Sequence, residues 1–312
     1  TTAGVLVLEG SNTYTGRTVI DAGKLSISDE ANLGANPSSP AADQLTLNGG
    51  TLLTTADLTI NDANRGITVS AASSIETAAG TTATISSTIL GGATLSKEGA
   101  GTLIFTAVQT GLTGAVTVNG GTLAGLGGTG GDLVVASSGT LSPGVTGTPG
   151  IFTVTGSLTV STGGTLATQI GGATTNAAAA VLAEMNANGN LLSLVGSVPS
   201  AWENYLNGTT AHSHTLVSST AAAPSISGIV ALLGGYSPVY GDVFDVLDWG
   251  FSGAMTTTPS SFDFGGITLP SGLDFNTDLF ASNGIIVVVP EPSRALFLML
   301  GLLGLMLRRR RK

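Results

Sequence analysis

Four groupings in this sequence hold residue types that could do chemistry. His212 and His214 are the only histidines. In an extended segment they share a face and could offer two imidazoles to zinc, but no third ligand stands nearby. Asp242, Asp245 and Asp248 are three apart. On a strand that spacing puts Asp242 and Asp248 on one face and Asp245 on the other, so they read as polar residues flanking Phe244 and Leu247. Gly127 to Val135 follows the nonapeptide Gly-Gly-x-Gly-x-Asp-x-apolar-x, which holds calcium between two successive turns. One copy supplies half a site, and in a chain with 46 glycines it also reads as an ordinary turn. Nucleophilic hydrolysis fails on content: Gly-x-Ser-x-Gly is absent and neither histidine sits in a triad pattern. Scattered aspartates give no recognisable carboxylate pair for glycoside hydrolysis. The expectation is no catalytic residue, no resident metal and no cofactor. Asn207-Gly208-Thr209 is a formal glycosylation sequon of little weight.

Charge narrows the partners. The chain has 312 residues and a net charge of −9, yet six of its ten cations, Arg294 and the last five residues, lie in the C-terminal tail. Ahead of the tail stand Arg17, Lys24, Arg65 and Lys97 against 18 carboxylates, which gives −14 for residues 1–289. No Lys or Arg occurs from Glu98 to Ser293. Binding a phosphate backbone needs clustered cations, so nucleic acid is excluded as a partner. Enzymes that cleave acidic polysaccharides need Arg or Lys at the scissile sugar, and these positions are too few and too close to turns. Cysteine is absent, so packing and backbone hydrogen bonds must hold the chain together without disulfides.

The elements that would position these residues repeat. Short alternating segments such as Leu6-Val7-Leu8, Leu25-Ser26-Ile27, Leu45-Thr46-Leu47 and Leu103-Ile104-Phe105 recur through residue 170. Anchors at Leu6, Leu25, Leu45, Ile67, Ile85, Leu103, Leu123, Leu141 and Leu158 are 17 to 22 residues apart. That length fits one coil of a parallel β-helix, with three short strands per coil and inward Leu, Ile and Val stacked in ladders. Gly-Gly-Thr-Leu recurs at 49–52, 120–123 and 163–166, where glycine would supply the positive-φ corners. A longer unit also repeats: Gly4–Leu8 through Tyr14–Leu25 aligns with Gly101–Phe105 through Leu112–Leu123. Lys97-Glu98-Gly99-Ala100 opens the second copy. This unit resembles the autotransporter-associated β-strand repeat, which implies a parallel β-helix over residues 1–170. The first copy lacks the opening, and the chain starts at Thr1 without an apolar leader, so an N-terminally truncated fragment is expected. No run of barrel strands follows the repeats.

Residues 171–289 change texture. Asn176 to Asn190 predicts one helix, centred on Ala177–Met185. Strand-like runs follow at 191–195, 214–217, 226–233, 242–247 and 285–289. They predict a β-rich cap over the open end of the solenoid, which would otherwise expose unpaired strand edges. Tyr240–Trp249 and Leu269–Thr277 resemble the pre-anchor region of proteins with the tail described next.

The tail has three parts in order: Pro290-Glu291-Pro292, an apolar run from Ala295 to Leu307, and Arg308, Arg309, Arg310, Arg311 and Lys312. Thirteen residues of helix cover roughly 20 Å at about 1.5 Å each, short of a hydrocarbon core of about 30 Å. The basic cluster would stay cytoplasmic and leave the rest of the chain outside. The order resembles the PEP-CTERM sorting signal. The resemblance implies a C-terminal hydrophobic helix held transiently in the inner membrane and an exosortase-type processing protease as partner. The product would be a mature form at the cell surface or in the extracellular matrix, ending near Val289. The overall reading is an all-β, non-enzymatic structural or adhesive protein of matrix or biofilm, with exopolysaccharide as a candidate partner. The alternatives are a carbohydrate-active β-helix enzyme whose catalytic part lies elsewhere, and a calcium-stabilised adhesin.

Overall fold

A computed structural model describes residues 4–145, 149–171, 175–176, 216–219, 224–249 and 254–291. The helix expected at 177–185, the strand at 191–195, both histidines, Asn207 and the tail from Pro292 lie outside these residues.

The described chain is an all-β parallel solenoid with almost no helix. Its two long sides are parallel ladders nine and eight strands deep. The first runs from Val5–Val7 through Lys24–Ile27, Thr51–Thr54, Ser73–Thr77 and Leu95–Glu98 to Ser225–Ile226. The second runs from Leu58–Ile60 through Thr82–Ile85, Thr102–Phe105, Gly121–Gly125, Gly139–Pro143 and Thr165–Gln169 to Ser261–Gly266. A third side is formed early by a four-stranded ladder spanning Thr18–Ile20 to Ile89–Leu90. From Val108–Gln109 onward a five-stranded ladder takes it over.

Alternation builds the core. Strands such as Ser73–Thr77 and Thr102–Phe105 bury every second residue, and stacking aligns those residues into columns. On the first side, Leu25, Leu52, Ile75, Lys97, Val118, Val135, Val160 and Ile226 stand one above another. On the second, Ala83, Leu103, Leu123, Leu141, Leu166 and Val230 do the same.

The register corrects the expected coil length. Successive partners in the first column, from Leu6 to Val160, are 19, 27, 23, 22, 21, 17 and 25 residues apart. The evenly spaced anchors do not form one column. Leu6 and Leu25 pair on the first side, Leu45 and Ile67 on the third, and Leu103, Leu123 and Leu141 on the second. All sides need the same inward alternation, so an evenly spaced reading slips from one side to the next.

The ladders also continue past residue 170, where the sequence places the end of the repeats. Leu216–Ser219, Ser225–Ile226, Ile229–Leu233 and Ser261–Gly266 extend all three sides in parallel. One excursion makes Val160 and Ile226 neighbours across 66 residues. The antiparallel component is a small sheet in the order Thr175–Asn176, Asp242–Asp245, Ile285–Pro290, Leu273–Asn276. An aromatic chain joins it to the last coil. Phe264 lies 4.3 Å from Phe275 between ring centres, and Phe262 meets Phe280 edge-on at 5.1 Å. Ile286 and Val288 are fully buried. Together these residues give the last coil the apolar cover that a next coil would have supplied.

Candidate functional site

Each cation ahead of the tail is committed to a structural contact. Arg17 pairs with Asp43 across 2.5 Å on the exposed surface, and Lys24 pairs with Glu76 two coils away. Arg65 is 1% exposed. Its guanidinium donates to Glu30 Oε1 at 3.2 Å, to the carbonyls of Leu33, Gly34 and Ala35, and to Asn36 Oδ1. These bonds hold the segment that lengthens the coil between Leu25 and Leu52 to 27 residues. That segment contains a 3-10 turn at Glu30–Leu33, closed by a capping box between Asp29 and Asn32.

Lys97 is the unexpected member, because it occupies an inward position in the core column and is 1% exposed. Its ammonium donates to the carbonyls of Glu98, Gly99 and Gly120 at 2.7, 2.9 and 3.1 Å, where two coils turn their corners. Burial pushes its pKa down to about 8, partly offset by the nearby carboxylates of Glu98 and Glu76. None of the four positions leaves a cation facing an open cleft.

The acidic residues are similarly occupied. Asp242 is buried and accepts from the Tyr236 hydroxyl at 2.9 Å and the Val239 amide at 2.8 Å. Asp245, also buried, stands opposite Ile285 in the antiparallel sheet. Alternation would have pointed Asp242 and Asp245 to opposite faces with one exposed, but this strand is covered on both. In the nonapeptide stretch, Gly128–Thr129 forms a strand, and Asp132 accepts the Ser157 amide of the next coil at 2.8 Å. Among the described residues, no three acidic or histidine side chains come together as a metal site.

The outer faces offer more than the interior. On the second side Thr82, Thr102, Thr122, Thr140 and Thr165 are consecutive partners, one per coil, all half-buried and outward. None of their hydroxyls makes a hydrogen bond among the described residues. The first side also carries outward hydroxyls, at Thr51, Ser74, Ser96 and Thr117, but Lys24, Glu76 and Glu98 stand among them. The composition predicts a hydroxyl-rich exterior. The alignment into one column follows from the register alone.

Of the residues expected to form a sorting motif, Pro290 ends the last antiparallel strand opposite Leu273, and the Glu291 amide donates to the Gly272 carbonyl at 3.0 Å. Pro292, Ala295, Leu307 and Arg308 to Lys312 lie outside the described residues. Among the described residues no helix is long and apolar enough to cross a membrane.

The passenger-associated transport repeat matches residues 3–27 and 95–124, so the chain carries autotransporter-associated repeats. Over 138 residues, 44% of this chain, it is 38% identical to the adhesin BmaC autotransporter of Brucella suis biovar 1 (strain 1330). The match spans about 4% of that much longer protein. No solved structure matches the chain.

The two repeat copies occupy different sides of the coil. Val5–Val7 and Lys24–Ile27 of the first copy pair on the first side, whereas Thr102–Phe105 and Gly121–Gly125 of the second pair on the second side. Each copy therefore spans one full coil, but the two are out of phase by one side.

Proposed function

We propose that this chain is an exported, non-enzymatic solenoid of the cell surface or extracellular matrix with a structural and adhesive role. The carrying observation is the continuous parallel solenoid in which every cation ahead of the tail is spent on holding coils together. The repeat match and the similarity to a segment of an autotransporter adhesin support the same reading. Stacked ladders with a hydrophobic core give durability, and the hydroxyl-bearing exterior gives a surface for contact.

Delivery is proposed to run through the tail. Pro290-Glu291-Pro292 would present the chain to an exosortase-type protease while residues 295–307 pause in the inner membrane and the terminal cations stay cytoplasmic. Deleting residues 290–312 tests this. The expected result is loss of surface labelling with the protein retained inside the cell. Unchanged surface labelling would overturn the delivery route.

A further inference from the structure

We propose that the second side of the solenoid is a docking face for an uncharged, extended polysaccharide running along the solenoid axis, gripped by the threonine column Thr82, Thr102, Thr122, Thr140 and Thr165. The inference rests on the adhesive reading above and names its ligand class and its face.

Three observations carry it. First, the five threonines are strict partners in the parallel register, so their hydroxyls repeat at the strand spacing of about 4.8 Å. That repeat is close to the length of one pyranose ring in an extended chain, which lets one coil meet one sugar. Second, the five hydroxyls are unspent among the described residues, and threonine is stiff at χ1. A row of preorganised donors and acceptors therefore faces outward at little further entropic cost. Each threonine also offers a methyl group, and Ile104 beside the column adds apolar surface for the C–H edges of a sugar.

Third, charge selects the ligand. The outward positions beside the column, from Thr84 through Ile104 to Ser142, are uncharged. The charges at the two ends of this side, Asp57 below Thr82 and Asp263 on the last strand, are both acidic, and residues 1–289 carry −14. An anionic polymer would meet no cation on this face and a repulsive field around it. A neutral glycan meets neither obstacle. The first side has its own hydroxyl column, but the charges of Lys24, Glu76 and Glu98 interrupt it.

The test is co-sedimentation of the purified full chain with microcrystalline cellulose, with alginate beads as the anionic comparator. Wild-type protein is expected in the cellulose pellet and absent from the alginate pellet. The double variant Thr102→Lys/Thr122→Lys, whose long side chains stand up from the face, should bind cellulose about tenfold more weakly. Thr51→Lys/Thr117→Lys on the first side should stay within about twofold of wild type. Thr102→Ser/Thr122→Ser keeps the hydroxyls and should retain binding, which separates loss of contact from misfolding. Failure of wild type to bind cellulose overturns the face assignment, as does equal loss in both lysine variants, preference for alginate, or sedimentation without any glycan. Surface delivery is measured separately, so this failure and that of the exported role are distinguishable.

Discussion

Lys97 stands in a core column between Ile75 and Val118, where a hydrocarbon would pack without cost. Its ammonium is tolerated because three corner carbonyls converge on it, so the charge serves as a clasp between coils. With a folded pKa of about 8 against 10.5, the sign of the pH dependence is fixed. Below pH 8 both folded and unfolded chains hold the proton, and the folded state bears the full desolvation penalty. From about pH 8 to 10.5 the folded state releases the proton first, so this residue makes stability rise with pH, by at most roughly 3 kcal/mol. Urea midpoints between pH 7.5 and 9.5 should therefore rise for the wild type, and the slope should vanish in Lys97→Met. A flat wild-type profile would mean that Lys97 stays charged throughout. Arg65 is a different case, since all its side-chain donors serve one loop and it shares Glu30 Oε1 with the Asp62 amide. Arg65→Ala should cost about 3–5 kcal/mol in urea unfolding, because it removes the countercharge of Glu30 and leaves several carbonyls without their donor.

At the level of elements, close stacking of coils explains the glycines. At Gly128, between Val108 and Thr153 in the third side, an added Cβ would run into the Thr153 carbonyl oxygen. Gly16 has open space around it and no positive φ. Gly128→Ala should destabilise by about 1–3 kcal/mol or more, whereas Gly16→Ala should stay within about 0.5 kcal/mol. Equal midpoints for the two variants would contradict the stacking. The recurring Gly-Gly-Thr-Leu shows how one motif serves different places. Gly49, Gly121 and Gly163 all take positive φ, yet Leu52 enters the first side while Leu123 and Leu166 enter the second. The motif specifies a corner without saying which one.

For the whole molecule, the scarcity and burial of cations set the pattern of proteolysis. Arg17 is largely exposed, Lys24 is held by Glu76, and Arg65 and Lys97 are enclosed. Trypsin should nick near Arg17 and in the C-terminal tail and leave a long core spanning the solenoid. Fragments ending at Arg65 or Lys97 would show that the coils open readily. Calcium should leave the melting midpoint unchanged relative to chelator, because Asp132 Oδ1 accepts the Ser157 amide and among the described residues no cluster of ligands surrounds it. A rise with calcium would revive the nonapeptide as a site.

The sequence by itself determined the architecture in kind: a parallel solenoid, glycine corners, inward aliphatic ladders and an exterior nearly free of cations. These are local properties, set by alternation and turn chemistry within a few residues. It left three things open that tertiary structure decided. Which side each strand joins follows from stacking, because all sides demand the same alternation and the repeat copies can slip by one side. Where the parallel ladders end also depends on stacking, since Leu216–Ser219 and Ile229–Leu233 find their partners only across a long excursion. The fate of single polar residues was equally hidden. Lys97 read as part of a repeat opening and became a buried clasp, Arg65 became the anchor of a loop, and scattered threonines became one column. Each outcome depends in part on neighbours about one coil or more away in sequence, as Lys97 does on Ile75, Val118 and Gly120, a distance at which residue type and spacing carry no orientation.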